Sequence, residues 1–316
     1  MKIPQCNFCE RPAAWRRPVD GDRLCVAHFN KSFIRRVQRT INRYKLFTRK
    51  DIIGVGISGG KDSVVLLDVL AKLQKKYPTK LIGITIDEGI ENYRQEGLKY
   101  AREATERAGI DHHIFSYKEK FGHDLDTALI LLGPNRQAAC SICGPFRRKS
   151  LNEAAREIGA DKLATGHNAD DEAQTFLMNI FRGDMLKSLH SNPYPRFKNE
   201  SFINRVKPLR KSEEQEIVLY ANFNNLPYQE TPCPYAVEAA RGKVRDILTN
   251  YQEHDPAIIY SILNSADAFY NLSDNVPRHI EHDGNKPIIK CERCGEPSNN
   301  QFCGTCKIVI QIENNL

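Results

Sequence analysis

The stretch Ser58-Gly59-Gly60-Lys61-Asp62-Ser63 constrains this chain more than any other, because of what stands on either side of it. Asp51-Ile52-Ile53-Gly54-Val55-Gly56-Ile57 precedes it as an apolar run of buried-strand length. Val64, Val65, Leu66, Leu67, Val69 and Leu70 follow with the spacing of a helix lying on a sheet. Further strands are expected at Leu81–Ile86, His113–Tyr117 and Lys162–Thr165, separated by helices over 91–108, 146–158 and 170–182. Such alternation predicts an α/β fold with a doubly wound, mainly parallel sheet. Ligands of these sheets bind beyond the carboxyl ends of the strands, where this loop lies.

The loop has the residues a phosphate requires. Glycines allow close backbone approach, and successive amides at a helix N-terminus favour an anion; Lys61 adds a point charge. A glycine-rich turn without a ligand has the same composition, but the strand-loop-helix setting favours phosphate. A Walker A loop would need Gly at 55 and Ser or Thr at 62, where the chain has Val55 and Asp62, so ordinary γ-phosphate hydrolysis is disfavoured.

The ten cysteines fall into three sets. No run of eighteen apolar residues and no apolar leader is present, so the chain reads as a soluble, cytoplasmic protein with no membrane partner, whose thiols stay reduced. Cys6 and Cys9, then Cys25 and His28, supply three thiolates and an imidazole, a closed tetrahedral zinc set. Cys291, Cys294, Cys303 and Cys306 form two Cys-x2-Cys knuckles, the pattern of a zinc ribbon. The middle set, Cys140, Cys143 and Cys233, is open to several readings. Three thiolates can hold three corners of a 4Fe-4S cluster or carry sulfur as persulfide and disulfide; Cys140 and Cys143 can equally be half a zinc site, and Cys233 a loop cysteine.

Charge is uneven. Residues 1–50 carry 13 Lys and Arg against 3 acids, and of the chain's 46 basic and 39 acidic residues this leaves 33 against 36 elsewhere. Phe29, Phe33, Val37 and Ile41 recur every four residues while Lys31, Arg35, Arg36, Arg39 and Arg43 take other faces. This amphipathic basic helix reads as an RNA-contacting element, with a solvated basic face as the plainer alternative. The expected organisation is an N-terminal zinc finger (1–28), a basic helix and linker (29–50), a catalytic domain (51–210) with a helical part (211–274), a linker (275–287) and a C-terminal zinc ribbon (288–316). Helices are expected over 212–225 and 236–272.

Ser58–Ser63 resembles the PP-loop of N-type ATP pyrophosphatases, which cleave ATP between the α- and β-phosphates. Gly166-His167-Asn168-Ala169-Asp170-Asp171-Glu172, Arg182-Gly183-Asp184, the pair Cys140 and Cys143, and Cys233 are similar to the tRNA 2-thiolation branch of that superfamily, the TtuA/NcsA and cytosolic wobble-uridine thiolase family, in which flanking zinc fingers also occur. The likeness covers nearly the whole chain. It implies an adenine nucleotide alpha-hydrolase-like sheet and a tRNA-uridine 2-sulfurtransferase that adenylates uridine O2 with ATP and then delivers sulfur to C2.

The resemblance implies ATP, Mg2+, a 4Fe-4S cluster and two Zn2+ as cofactors. Ser58, Gly59, Gly60, Lys61, Asp62 and Ser63 would hold phosphates; Asp87, Gly166, His167 and Asp170 would serve nucleotide or magnesium; Asp171 is the favoured catalytic carboxylate beside Cys140, Cys143 and Cys233. Position-54 thiolases carry a catalytic Lys where this chain has Arg147, and Arg does not readily give up a proton. Gly144-Pro145-Phe146-Arg147-Arg148, Lys207-Pro208-Leu209-Arg210 and Glu216–Ala221 are similar to the wobble branch. The 23 Asn also argue against a hyperthermophile protein, so uridine 34 is expected rather than 54. Arg147, Arg148 and the Arg241-Gly242-Lys243 element are expected near RNA. The implied partners are tRNA, a sulfur source (sulfide or a ubiquitin-like thiocarboxylate carrier) and a second copy as homodimer. Modification of another base, such as 2-thiocytidine formation, and a non-catalytic zinc-finger tRNA adaptor are the competing readings.

Overall fold

The computed structural model describes residues 4–75, 79–189, 191–193, 202–238, 241–274 and 289–315; the expected linker 275–287 lies outside them. Two short antiparallel strands, β1 (Trp15–Arg16) and β2 (Arg23–Leu24), open the chain and lead into α1 (Val26–Tyr44). Then come β3 (Ile52–Gly56), α2 (Lys61–Gln74), β4 (Lys80–Asp87), α3 (Arg94–Ala108), β5 (Asp111–Ser116), α4 (Tyr117–Phe121), α5 (Leu125–Leu132), α6 (Ala139–Glu157), β6 (Lys162–Ala164), α7 (Ala169–Phe181), α8 (Met185–Leu189) and β7 (Asn204–Val206). The chain closes with α9 (Glu214–Phe223), a 3-10 turn over Pro234–Glu238, α10 (Arg241–Gln252), α11 (Ile258–Asp274), the pair β8 (Ile289–Lys290) and β9 (Pro297–Ser298), and α12 (Gly304–Glu313).

The central sheet has the order β5-β4-β3-β6-β7, with every neighbouring pair parallel. The order reverses at β3, so the loops after β3 and β6 diverge from a topological switch point. Ile53 and Val55 of β3 are fully buried because both faces of the sheet are covered. On one face α1, α2 and α9 share a core that includes Phe33, Val37, Leu66 and Tyr220; on the other, Phe146 of α6 and Val309 of α12 sit with Ile84 and Ile86. The basic helix is therefore part of the core layer, and the last helix seals the opposite layer. Among the described residues no helix is long and apolar enough to cross a membrane.

Four expectations shift for nameable reasons. β5 stops at Ser116 rather than 117, because Ser116 and Glu119 form a capping box that starts α4. Helix α6 begins at Ala139, not 146, because the Glu238 carboxylate accepts a hydrogen bond from the Ala139 amide at 2.7 Å and caps it from about a hundred residues away. The run 236–272 is two helices broken before Pro256, where Asp255 accepts from the Ala257 amide and restarts the turn. Strand β7 was not expected at all; at three residues it is too short to show alternation.

Helix α11 is tied down by charge. Arg210, 1% exposed, donates to Glu172 of α7 at 2.9 Å and to Asp267 of α11 at 2.5 Å, and Tyr44 of α1 donates to the same Asp267. Removing one member of such a buried set leaves an unpaired charge, at a cost of about 3–5 kcal/mol.

Candidate active site

Gly59 has φ +89°, a conformation that favours glycine, and a Cβ there would lie 2.1 Å from the Gly97 carbonyl. The loop is also pinned by its own side chains: the Ser58 amide donates to Ser63 Oγ at 3.1 Å, Ser63 Oγ donates to the Gly60 carbonyl, and the Gln229 amide donates to the Gly59 carbonyl. These contacts hold the first turn of α2 so that its amides face the switch point. Lys61 stands beside them, paired with Asp62 at 3.1 Å and Glu214 at 2.8 Å.

Gly166 brings the second loop onto the first, since a Cβ there would lie 2.9 Å from the Asp62 carbonyl carbon. Asn168 caps α7 through Asp171 and also donates from Nδ2 to Asp62 at 2.9 Å. Asp171 receives Arg241 Nη1 at 2.7 Å, which places the Arg241 element at this rim. Burial pushes Asp171 above the ordinary carboxylate range, and Arg241 works against that shift. His167 is pulled down to about 4, first by desolvation and then by Lys207, so it is neutral at physiological pH. Asp87 ends β4 and accepts from the Gly89 amide at 2.9 Å, on the same edge of the sheet.

Asp170 is pushed up to about 6 by burial, with repulsion from Glu214 and Asp171 adding to it. A carboxyl whose folded pKa is raised contributes stability below its unfolded value, near 4, and loses it as pH rises through 6. Asp170→Asn removes this ionisation. In thermal melts the variant is expected to be more stable than the parent at pH 8, with the difference gone at pH 4; a gain that persists at pH 4 would show that ionisation is not the cause.

Cys140 and Cys143 lie in the first turns of α6, the former exposed and the latter buried; Cys233 precedes the 3-10 turn that packs on them. Tyr117 Oη donates to the Cys143 carbonyl at 3.1 Å and lies 3.4 Å from its sulfur, while Arg147 Nη2 donates to the same sulfur at 3.4 Å. Burial raises the thiol pKa of both Cys143 and Cys233; Cys140 raises each further, and Cys143 also raises Cys233. The three are not among the described sets whose ligand atoms all lie within 4.8 Å of one another. At least one pair of these sulfurs is thus farther apart than the ligands of one tetrahedral ion, which three corners of a cubane allow, and the other seven cysteines belong to the outer sets.

The two outer sets differ sharply from this. With zinc about 2.3 Å from sulfur and 2.0 Å from nitrogen, tetrahedral geometry requires S···S edges of about 3.8 Å and S···N edges of about 3.5 Å. Cys9 and Cys25 are 3.7 Å apart, and Cys6, Cys9 and Cys25 stand 3.4, 3.5 and 3.4 Å from His28 Nδ1. Cys294 and Cys303 are 3.8 Å apart, and the Cys303 amide donates to Cys291 Sγ at 3.2 Å, as a thiolate would accept.

The cations of α1 divide. Lys31, Arg35, Arg39 and Arg43 are exposed, whereas Arg36 is ion-paired with Glu216 and donates to Tyr260 Oη at 3.3 Å. Arg148 is also exposed, and Arg205 of β7 donates to its carbonyl at 2.9 Å. Glu88, Arg94, Tyr117 and Gln229 also belong to the site although no local spacing marks them; Glu88 alone had a signal, as the second of two acids at a strand end.

Comparison with known proteins agrees with this geometry. Residues 29–251 match the PP-loop domain family model. The chain is 36% identical to tRNA 2-thiolation protein NcsA of Haloferax volcanii, covering 98% of this chain and 99% of that one. It is 36% identical to cytoplasmic tRNA 2-thiolation protein 1 of Drosophila melanogaster, over all of this chain and 90% of that one. The solved U34-tRNA thiolase NcsA from Methanococcus maripaludis with its [4Fe-4S] cluster superposes with a TM-score of 0.80 at 32% identity, covering 99% of this chain and 97% of that one. The phosphate loop, the thiol set beside it and the end-to-end likeness leave one conclusion: the chain belongs to the PP-loop family of tRNA 2-thiolation enzymes.

Proposed function

We propose that this enzyme replaces O2 of the wobble uridine, position 34 of tRNA, with sulfur. What supports the reading is the phosphate-binding loop at the carboxyl edge of the sheet, together with Cys140 and Cys143 at the start of α6 and Cys233 beside the turn that packs on that helix. A uridine oxygen is a poor leaving group, so O2 attacks the α-phosphate of ATP, pyrophosphate departs, a sulfur nucleophile attacks C2, and AMP carries the oxygen away. Ser58–Ser63 and Lys61 hold the phosphates, and Asp87, Asp170 and Asp171 serve Mg2+ or the reacting groups. Cys140, Cys143 and Cys233 would hold the 4Fe-4S cluster, which supplies an open iron site that presents sulfur as a nucleophile. Arg147 cannot replace a Lys base; its guanidinium steadies the Cys143 sulfur instead.

Two Zn2+ per chain, one in each outer set, hold the terminal modules closed, since such small units bury too little surface to fold unaided. Metal analysis of freshly prepared protein is expected to give two zinc atoms per chain; fewer, with no other metal in their place, contradicts the assignment. The remaining partners of this reading are sulfide or a ubiquitin-like thiocarboxylate carrier and a second copy of the chain, in the cytoplasm.

tRNA would lie on the exposed cations of α1 and on Arg148. Binding should weaken linearly in log–log salt plots by about 0.7 per phosphate contact on single-stranded RNA. Arg35→Ala with Arg39→Ala is expected to shallow that slope by about 1.4, whereas Arg36→Ala mainly lowers stability; an unchanged slope in the double variant removes α1 from the RNA surface. The reaction itself is tested by AMP release. tRNA-dependent conversion of ATP to AMP is expected, and bound ATP without AMP formation identifies an adaptor.

A further inference from the structure

An unbroken chain of charged contacts connects the phosphate loop to the buried thiol. Arg94, at the start of α3 with its side chain 4% exposed, donates from Nη1 to the Ser58 carbonyl at 2.6 Å. Its Nε lies 2.8 Å from Glu88 Oε2, and Nη2 donates to the Ile86 carbonyl at 2.7 Å. The other oxygen of Glu88 meets Arg147 Nη2 at 3.0 Å, and that same nitrogen reaches Cys143 Sγ at 3.4 Å. Glu88, 6% exposed, thus lies between two guanidinium groups, one facing the nucleotide loop and one facing the sulfur site.

We propose that Glu88 and Arg94 are positioning residues that set the phosphate loop and the Cys143 sulfur in register, so that occupation of the loop changes the surroundings of the thiol. The chemistry requires this register, because the carbon activated at the α-phosphate must lie within bonding reach of the sulfur, and a misplacement of about 1 Å can cost a hundredfold in rate. The contacts supply it. Gly97 leaves no free space behind the loop, since a Cβ there would lie 2.9 Å from the Ser58 oxygen and 2.7 Å from Arg94 Nη1, so a shift of Ser58 displaces Arg94. Arg94 and Glu88 do not separate readily, because a buried pair that loses a partner costs about 3–5 kcal/mol. At the far end Tyr117 holds the Cys143 carbonyl at 3.1 Å and lies 3.4 Å from its sulfur, so Arg147 is the relay's contact with a thiol whose backbone is fixed. Arg147 is half exposed, so it touches the relay and stays reachable from solvent.

The purpose assigned to the relay rests on the thiolation reading, but its test needs neither tRNA nor iron. Iron-free protein is treated with iodoacetamide with and without α,β-methylene-ATP, and carbamidomethylation is followed at Cys143 and Cys140 separately by mass spectrometry. In the parent the nucleotide is expected to change the Cys143 rate by about fivefold or more, the lower range of ordinary site-to-site coupling. Cys140 is exposed and couples to Cys143 through charge, so a smaller response is expected there, which makes it the comparison thiol. In Glu88→Gln the nucleotide response at Cys143 is expected to fall below about twofold while nucleotide affinity stays within about threefold of the parent. Should Glu88→Gln fail to fold, Arg147→Gln breaks the outer link alone, at a half-exposed side chain, and the same loss is expected. A parent without the response, or a folded variant that keeps it, overturns the proposal. Failure of the thiolation reading would instead leave this coupling intact and show only as an absent RNA product.

Discussion

Gly59→Ala is expected to reduce ATP-to-AMP turnover by about a hundredfold or more, because the new methyl has nowhere to go. Its Cβ would meet the backbone oxygen of Gly97 at 2.1 Å, and Gly97 is itself wedged against Arg94, Gln229 and Ser58. Two costs add: left-handed backbone on a non-glycine residue, about 1–2 kcal/mol, and overpacking against main chain, typically about 1–3 kcal/mol. The loop relieves both by moving, which takes its amides off the phosphates. Gly159→Ala separates the two effects, since Gly159 also has positive φ (+69°) but open space around its Cβ position. That control should lose stability by about 1–2 kcal/mol with turnover unchanged. Turnover of Gly59→Ala within threefold of the parent would show that the loop does not hold the reacting phosphates.

Cys143→Ser is expected to abolish thiolation, by about a thousandfold or more, while leaving ATP binding in place. A thousandfold loss corresponds to about 4 kcal/mol of barrier, which the absence of one corner of the thiol set readily supplies. Serine keeps the size and hydrogen-bonding capacity that Tyr117 and Arg147 meet at this position, so the fold should survive, with a melting temperature within a few degrees of the parent. Cys140→Ser and Cys233→Ser should behave alike, because the proposed cluster would need all three thiols. Cys6→Ser must not behave alike: it breaks an outer set in which the ligand atoms lie within 4.8 Å of one another, and its effect should fall on zinc content and stability. Thiolation retained by Cys143→Ser would remove that thiol from the chemistry.

What could be read from the sequence is what is local in it. Phosphate loop and Cys-x2-Cys pairs are short spacings that stand out without the rest of the chain, and β3 and α2 announce themselves by continuous apolar character because both faces of the sheet are covered. The contacts that were not legible join residues far apart in sequence. Glu238 caps α6 from 99 positions along the chain and moves the start of that helix onto the cysteine pair. Glu216 pairs with Arg36 across 180 positions and turns one of five matching cations into a fixture of the core. Glu88, 59 residues before Arg147, joins it only because β4 and α6 pack together. Periodicity predicts which face of a helix is buried, but not which acid waits beneath it.

The central claim is tested most directly by nucleoside mass spectrometry, with fragment mapping, on unmodified tRNA incubated anaerobically with reconstituted enzyme, ATP, Mg2+ and sulfide. New 2-thiouridine at position 34 is the predicted result. Unchanged uridine, although iron is loaded and ATP is bound, would contradict it.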